Sequence, residues 1–229
     1  RYQVVRALKP VGYWPADERG SPQQLADLSG NARHAVVDGV SPGVPGQVGC
    51  ACRFDGRDDT LFLRDYKGIG GADSRTIAFW IHVEKGQQWP TVIHWGTRKR
   101  KGAAWDIRLN AGRVRVEVQG GFAIGTAKLD NKQWRHVTVV YEDGGARELD
   151  DVVIYVDGKR DAITEMESIP IATALRDSVT FGDACYGPVR HFGGLLDEMA
   201  VWERALSDSE VGLLYDLGRN GDPLKKGDK

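Results

Sequence analysis

Three aspartates and one loop tryptophan are the residues of this chain best suited to holding a ligand. Asp17, Asp27 and Asp197 lie in stretches rich in acidic residues and glycine. A hard cation such as Ca2+ needs several oxygens of the kind those stretches offer, from carboxylates and exposed carbonyls. The three are therefore the candidate ligands of a structural Ca2+ ion. The competing reading needs no metal: Asp27 and Asn31 would close Asx turns, and Asp197 would accept from neighbouring backbone amides. Their spacing matches no self-contained calcium loop.

Trp89 lies in Gly86-Gln87-Gln88-Trp89-Pro90, where no alternation of apolar and polar residues accounts for it. A sugar needs an aromatic face for its C–H surface and fixed polar groups for its hydroxyls. Asp106, Arg108, Arg115 and Glu117 alternate outward from the middle of the chain and would supply those groups beside Trp89. Alternatively, Trp89 covers a loop and the four charges solvate a sheet and pair across strands. The run Arg98-Lys99-Arg100-Lys101 reads as a solvated loop, with contact to an acidic polysaccharide or sulfate as its functional reading. The acidic stretch from Glu142 to Asp151 likewise reads as a flexible loop.

The other residues capable of chemistry make no familiar constellation. Five histidines stand at His34, His82, His94, His136 and His191, without metal-ligand pairing, and no Cys-x-x-Cys is present, which argues against zinc. Cys50, Cys52 and Cys185 are an odd set. Two apart in a strand, Cys50 and Cys52 share a face, so a bridge would join one of them to Cys185; buried reduced thiols are the alternative. No nucleophile elbow, phosphate loop or His-Glu-x-x-His motif occurs.

These residues need a scaffold of strands. Arg75 to Val83 places Ile77, Phe79 and Ile81 on one side, and Arg113 to Gln119 places Val114, Val116 and Val118 opposite Arg113, Arg115 and Glu117. A sheet with one wet face is expected. Further strands are expected at 34–37, 50–54, 60–63, 91–95, 104–109, 122–125, 135–141, 152–156, 179–182 and 194–202. Asn110-Ala111-Gly112 and Asp157-Gly158 are hairpin turns. About a dozen short strands without intervening amphipathic helices must stack as two sheets to cover their apolar faces. One helix is expected, opened by the capping box Ser207-Asp208-Ser209-Glu210, stapled by Leu206 and Val211, and ended at Gly218. The fold class is an all-β, two-sheet antiparallel β-sandwich, one domain over 1–218, with a polar linker over 219–229.

The totals agree. The chain has 229 residues, 41% hydrophobic and 28% charged, as in a globular domain with a large core. With 31 basic and 32 acidic side chains the net charge is -1, which supplies no field for nucleic acid or an anionic membrane. No apolar run reaches the roughly 18 residues of a membrane span, so no direct membrane insertion is expected. Starting at Arg1 with no initiator Met or signal-like segment, the sequence reads as a fragment, any signal lying upstream.

The ordered set Val11-Gly12-Tyr13-Trp14-Pro15-Ala16-Asp17, Asp27-Leu28-Ser29-Gly30-Asn31, Arg53-Phe54-Asp55-Gly56, Thr76 to Ile81, Trp134-Arg135-His136-Val137, Ile154 to Lys159, Phe192 to Glu198 and Trp202 to Ser207 resembles a laminin G-like jelly roll of the concanavalin A-like superfamily. The resemblance covers Val11 to Leu217. It implies a jelly roll and, near the sandwich edge, a Ca2+ ion held by an aspartate of the segment corresponding to Leu196-Asp197-Glu198. Trp14, Trp80, Trp134 and Trp202 are expected to pack against sheets rather than ligands.

Some relatives cleave glycosidic bonds. Retaining glycosidases need two carboxyls about 5 to 5.5 Å apart. The laminarinase-like pattern Glu-x-Asp-x-x-Glu is absent here: Glu165 and Glu167 alternate in a loop-like segment, and Asp197 and Glu198 should point to opposite faces. The expectation is a non-catalytic binding module of a larger extracytoplasmic protein, periplasmic, cell-surface or secreted, probing a glycan or a surface protein and monomeric as an isolated domain. A protein-interaction or spacer domain is the alternative, and a glycoside hydrolase or polysaccharide lyase the third.

Overall fold

The computed structural model describes residues 1–86, 89–183 and 190–220. In chain order its early strands are β1 (Gly12–Trp14), β2 (Gln24–Leu25), β3 (Ala35–Asp38), β4 (Ser41–Pro45), β5 (Cys50–Asp55) and β6 (Thr60–Phe62). The central ones are β7 (Arg75–Val83), β8 (Thr91–Gly96), β9 (Ala104–Asn110), β10 (Arg113–Glu117) and β11 (Phe122–Lys128). The last are β12 (Arg135–Tyr141), β13 (Val152–Val156), β14 (Lys159–Asp161), β15 (Ile163–Glu167), β16 (Asp177–Phe181) and β17 (Gly193–Trp202). Two α-helices flank them, α1 (Tyr2–Ala7) and α2 (Asp208–Arg219).

All paired strands run antiparallel in two sheets. The first has eight strands in the order β14-β13-β12-β7-β17-β5-β4, with β1 also pairing β17. The second has nine, ordered β15-β11-β10-β9-β8-β16-β6-β3-β2. The chain is thus a two-sheet antiparallel sandwich. Between the layers, Ile77, Phe79 and Ile81 of β7 meet Trp105, Ile107, Val114 and Val116 of β9 and β10 in one buried cluster. The period-two alternation that identified the strands is the pattern that fills this space. Both hairpin turns form: Ala111 and Gly112, and Asp157 and Gly158, have positive φ as a type I′ turn requires.

Arg75 closes one end of this core. Its guanidinium gives Nε to the Asp73 carbonyl, Nη1 to the Ile69 carbonyl and the Thr173 hydroxyl, and Nη2 to the Gly70 and Gly71 carbonyls. Burial pushes it down to about 10. Backbone carbonyls and the Trp105 ring, 4.8 Å away, offset much of the cost of burying this charge.

Four sequence expectations need correction. The outer face of the first sheet is not wet: Tyr13, Ala78, Tyr155 and Trp202 are buried there under Val5 of α1 and Val211 and Leu214 of α2. Helix α1 was not expected, because only Val5 of its six residues is buried and it shows no apolar stripe. Ile163–Glu167 is strand β15 rather than a loop; at a sheet edge it needs only main-chain pairing to β11, so it carries little apolar pattern. Gly218 does not end α2, which continues through Arg219. A Cβ on Gly218 would lie 2.2 Å from Trp80 Nε1, so this glycine admits the indole to the helix. The expected linker lies outside the described residues from 221 onward.

Candidate functional site

The outward face of the second sheet carries the candidate binding residues. Because Trp105, Ile107 and Leu109 of β9 point into the core, Asp106 and Arg108 point out. Pairing aligns a transverse row: Thr180 of β16 opposite His94 of β8, His94 opposite Asp106, Asp106 opposite Glu117 of β10, and Glu117 opposite Phe122 of β11. Arg108 and Arg115 are paired in the neighbouring row.

These charges are not a solvated surface, as their alternation suggested. Asp106 is 0% exposed and Arg108 4%. One Asp106 oxygen contacts His94 Nδ1, and the other takes Arg98 Nη2 and lies 3.3 Å from Arg108 Nη2. Glu117 Oε2 accepts from Arg108 Nη1 at 3.2 Å and from Arg115 Nε at 3.0 Å. Arg98, read from sequence as part of a solvated loop, turns inward, while Lys99, Arg100 and Lys101 are exposed. A buried charge must be paired or hydrogen-bonded, and this lattice of alternating signs is how the sheet meets that requirement.

Above the lattice is a cleft of about 200 Å³ lined by Trp89, Arg108, Arg115, Glu117 and Arg190. Four of the five expected ligand-binding residues line it together; Asp106 lies beneath them as a buried support. Trp89 is 43% exposed. Its backbone φ of +60° is a conformation that a bulky residue rarely adopts, and its Nε1 donates to Asn110 Oδ1 at 3.0 Å. On its other side Trp89 also lines a cavity of about 360 Å³ with Lys85, Pro90, Asn110 and Asp130. Not legible in the sequence were Arg190, which reaches the cleft from a loop, and Asn110 at the end of β9, which holds the Trp89 indole from the side of the second cavity.

The three aspartates do not converge. Asp27 Oδ1 accepts from the Tyr13 and Ser29 amides at 2.9 and 2.8 Å, and Oδ2 from the Ser29 hydroxyl and the Arg33 amide at 2.8 and 2.9 Å. Those four donors occupy its lone pairs in a turn. Asp17 and Asp197 lie closer to one another, at a bulge of β17 between Asp197 and Ala200 where Glu198 has positive φ. The bulge breaks strict alternation, and Asp197 and Glu198 interact electrostatically with each other and with Asp17. Burial, then Glu198, holds the Asp197 carboxyl well above the usual carboxylate range. Burial pushes Glu198 up to about 7, against the opposing pull of Arg1.

In this group Asp17 Oδ1 accepts from the Cys50 amide at 2.8 Å and Oδ2 meets Arg1 and Tyr2. Glu198 Oε1 lies 3.2 Å from Arg1 Nη2. Asp197 Oδ2 accepts from Val48 N at 2.8 Å, while Asp197 Oδ1 and Glu18 Oε2 are buried without a hydrogen-bond partner among the described residues. A Cβ on Gly46 would come within 2.7 Å of both Asp197 Oδ2 and the Cys50 carbonyl. Elsewhere, Asp55, Asp58 and Asp59 bring carboxylate oxygens within 4.8 Å of one another. Cys50 and Cys52 are buried free thiols among the described residues; Cys185, the bridge partner expected from sequence, lies outside them.

Two layered antiparallel sheets, one with its outward face built into a charged cleft, define a concanavalin A-like jelly roll. The chain belongs to the concanavalin A-like lectin/glucanases superfamily, whose laminin G family model matches residues 55–212. A comparison with curated protein sequences found no match. Among solved structures, the chain is similar to domain 4 of AbnA, a GH43 extracellular arabinanase from Geobacillus stearothermophilus, in complex with arabinotriose. That likeness has 19% identity and a TM-score of 0.66, over 90% of this chain and 98% of the other. It is also similar to the binding domain of Paraclostridial Mosquitocidal Protein 1, at 17% identity and a TM-score of 0.66, over 93% of this chain and 53% of that one. The receptor binding domain of botulinum neurotoxin type G gives 15% identity and a TM-score of 0.64, over 91% and 51%. The chain therefore spans about half the length of these toxin domains. At such identities the likeness shows the fold.

Proposed function

We propose that the chain is a non-catalytic, carbohydrate-recognising module of a larger extracytoplasmic protein. The observation that carries this reading is Trp89 standing at the rim of the Arg108, Arg115, Glu117 and Arg190 cleft. An indole face covers the apolar side of a sugar ring, and hydrogen-bonding groups fixed by a buried lattice orient its hydroxyls without the entropy cost of ordering them on binding. The arabinotriose-bound arabinanase domain, which has the same fold, supports a glycan as the class of ligand. That enzyme is described as extracellular, which supports an extracytoplasmic setting.

At the cleft and along the β15 edge, the carboxylates support binding rather than bond cleavage. Glu117 is held by two arginines, and Glu165 pairs with Arg113 at 2.8 Å on an exposed edge. Their oxygens are thereby engaged by arginines rather than presented as the facing acid and nucleophile that glycoside cleavage needs.

A structural Ca2+ ion belongs to the same reading, with Asp17 and Asp197 and the Cys50 carbonyl as its ligands. The orphaned Asp197 Oδ1, and the close approach of Asp197 Oδ2 and the Cys50 carbonyl at Gly46, fit such an ion. The ion would neutralise a buried carboxylate and tie the 46–50 turn to β17. Asp27 does not fit, since four donors of its own turn hold both oxygens away from this group; Asp17 Oδ2, which meets Arg1 and Tyr2, would exchange those contacts for the ion.

Glycan-array and polysaccharide pull-down binding by the purified chain tests the proposal. Binding that is lost in Trp89→Ala, with an unchanged circular dichroism spectrum, supports it. Failure with every glycan, or retention of binding in Trp89→Ala, overturns it and favours a protein-interaction or spacer role.

A further inference from the structure

We infer that the cleft beside Trp89 selects glycans bearing an anionic group on the sugar ring, a carboxylate or a sulfate; this deepens the glycan-binding reading and rests on it. Three arginines, Arg108, Arg115 and Arg190, line the cleft against one carboxylate, Glu117. The second acid of the lattice, Asp106, lies below the cleft and is already engaged by Arg98. The surface that a ligand meets therefore carries a cationic excess, within a chain whose net charge is only -1.

Unused donors point the same way. Arg108 is buried, yet its Nε and Nη2 have no hydrogen-bond partner among the described residues, although Nη2 lies 3.3 Å from Asp106 Oδ2 as an ion pair. Among the described residues, Arg190 Nη1 is buried and unpartnered too. Leaving such donors unmet costs as much as a hydrogen bond contributes, and more for charged groups. A neutral sugar hydroxyl can accept from them, but a carboxylate or sulfate accepts several guanidinium N–H bonds at once and neutralises the excess charge.

Arg115 is oriented for this task. Its Nε is spent on Glu117 at 3.0 Å, and its guanidinium lies 3.9 Å over the Phe122 ring. Those two contacts fix the plane of the group, which is what two-point recognition of an anion requires. Trp89 then covers the ring that carries the anion.

The test is calorimetric titration of the chain with polygalacturonate, dextran sulfate and arabinotriose, at low and high salt. Binding of at least one of the two anionic probes is the expected result. Arg115→Gln should weaken it about tenfold, the scale of a lost charge-assisted hydrogen bond, and high salt should weaken it further. Arg108→Lys, which keeps the charge but removes the fork, should also weaken it; Arg115→Gln keeps the test informative if that variant fails to fold. Preference for polygalacturonate identifies a uronate ligand, and preference for dextran sulfate a sulfated one; either supports the inference. Binding of arabinotriose alone, lost in Trp89→Ala and unchanged in Arg115→Gln, overturns the inference but leaves the glycan-binding reading standing. Binding of none of the probes overturns the inference, and the wider glycan array then decides the reading beneath it.

Discussion

The Trp89 indole nitrogen donates to the Asn110 side-chain oxygen at 3.0 Å, joining the loop before β8 to the last residue of β9, at the hairpin turn into β10. The indole rim is thereby anchored while its surface remains open. Removing the acceptor should release the ring without touching the core. Asn110→Ala is expected to weaken glycan binding by up to about tenfold, the range of one hydrogen bond, and to leave the melting temperature nearly unchanged. Titration calorimetry beside a thermal melt checks both parts.

Helix α2 is seated on a glycine. Trp80 is sandwiched between His136, with centroids 5.1 Å apart, and Tyr215, at 5.7 Å, so its indole has little room to yield to a Cβ on Gly218. Alanine would gain about 1 kcal/mol in helix propensity, but overpacking of this kind costs about 1–3 kcal/mol. Gly218→Ala should therefore destabilise or be close to neutral, in contrast to an exposed helical glycine such as Gly212, where a Cβ meets nothing. Urea unfolding of the two variants distinguishes them, and greater stability for Gly218→Ala than for Gly212→Ala would contradict the packing.

His136 sets an acid limit on stability. Burial pushes its imidazole from 6.5 down to about 3. The unfolded chain thus binds a proton that the folded chain refuses. The associated stability is fully present above about pH 6.5 and is lost as the pH falls toward 3, by at most about 1.4 kcal/mol per pH unit. His136→Gln should flatten this acid limb, as read from urea midpoints across that range. An unchanged slope would place the titration elsewhere.

Calcium should stabilise the sandwich. If Asp17 and Asp197 hold the ion, the gain is about 2.7 kcal/mol when free Ca2+ is about a hundred times its Kd. Asp197→Asn should abolish the increase in melting temperature, whereas Asp27→Asn should retain it while lowering the melting temperature itself through its lost turn contacts. Differential scanning calorimetry with Ca2+ and with a chelator reads both effects.

The capping box of α2 was legible residue by residue: Ser207 Oγ accepts from the Glu210 amide, and Glu210 Oε2 from the Ser207 amide. The same is true of β7, β12 and β13, whose boundaries follow their apolar alternation. Capping chemistry and the two-residue period are local properties of a strand or a helix end, so neighbouring residues suffice to specify them. β15 and α1 escaped notice because each is held by tertiary contacts and carries little pattern of its own.

The cleft depended on closure of the sandwich. Arg98, Arg115 and Arg190 are far apart in the chain, and nothing in their local sequence distinguishes an arginine buried over a carboxylate from one in water. Cross-strand register places Glu117 beside Asp106, and two separate loops then bring Trp89 and Arg190 to the same rim. Desolvation of those charges arises only when the surrounding segments meet. By itself the sequence determined the layers, through short-range alternation; only the tertiary structure decided which charges are buried, paired or left to receive a ligand, because those properties depend on neighbours supplied by distant parts of the chain.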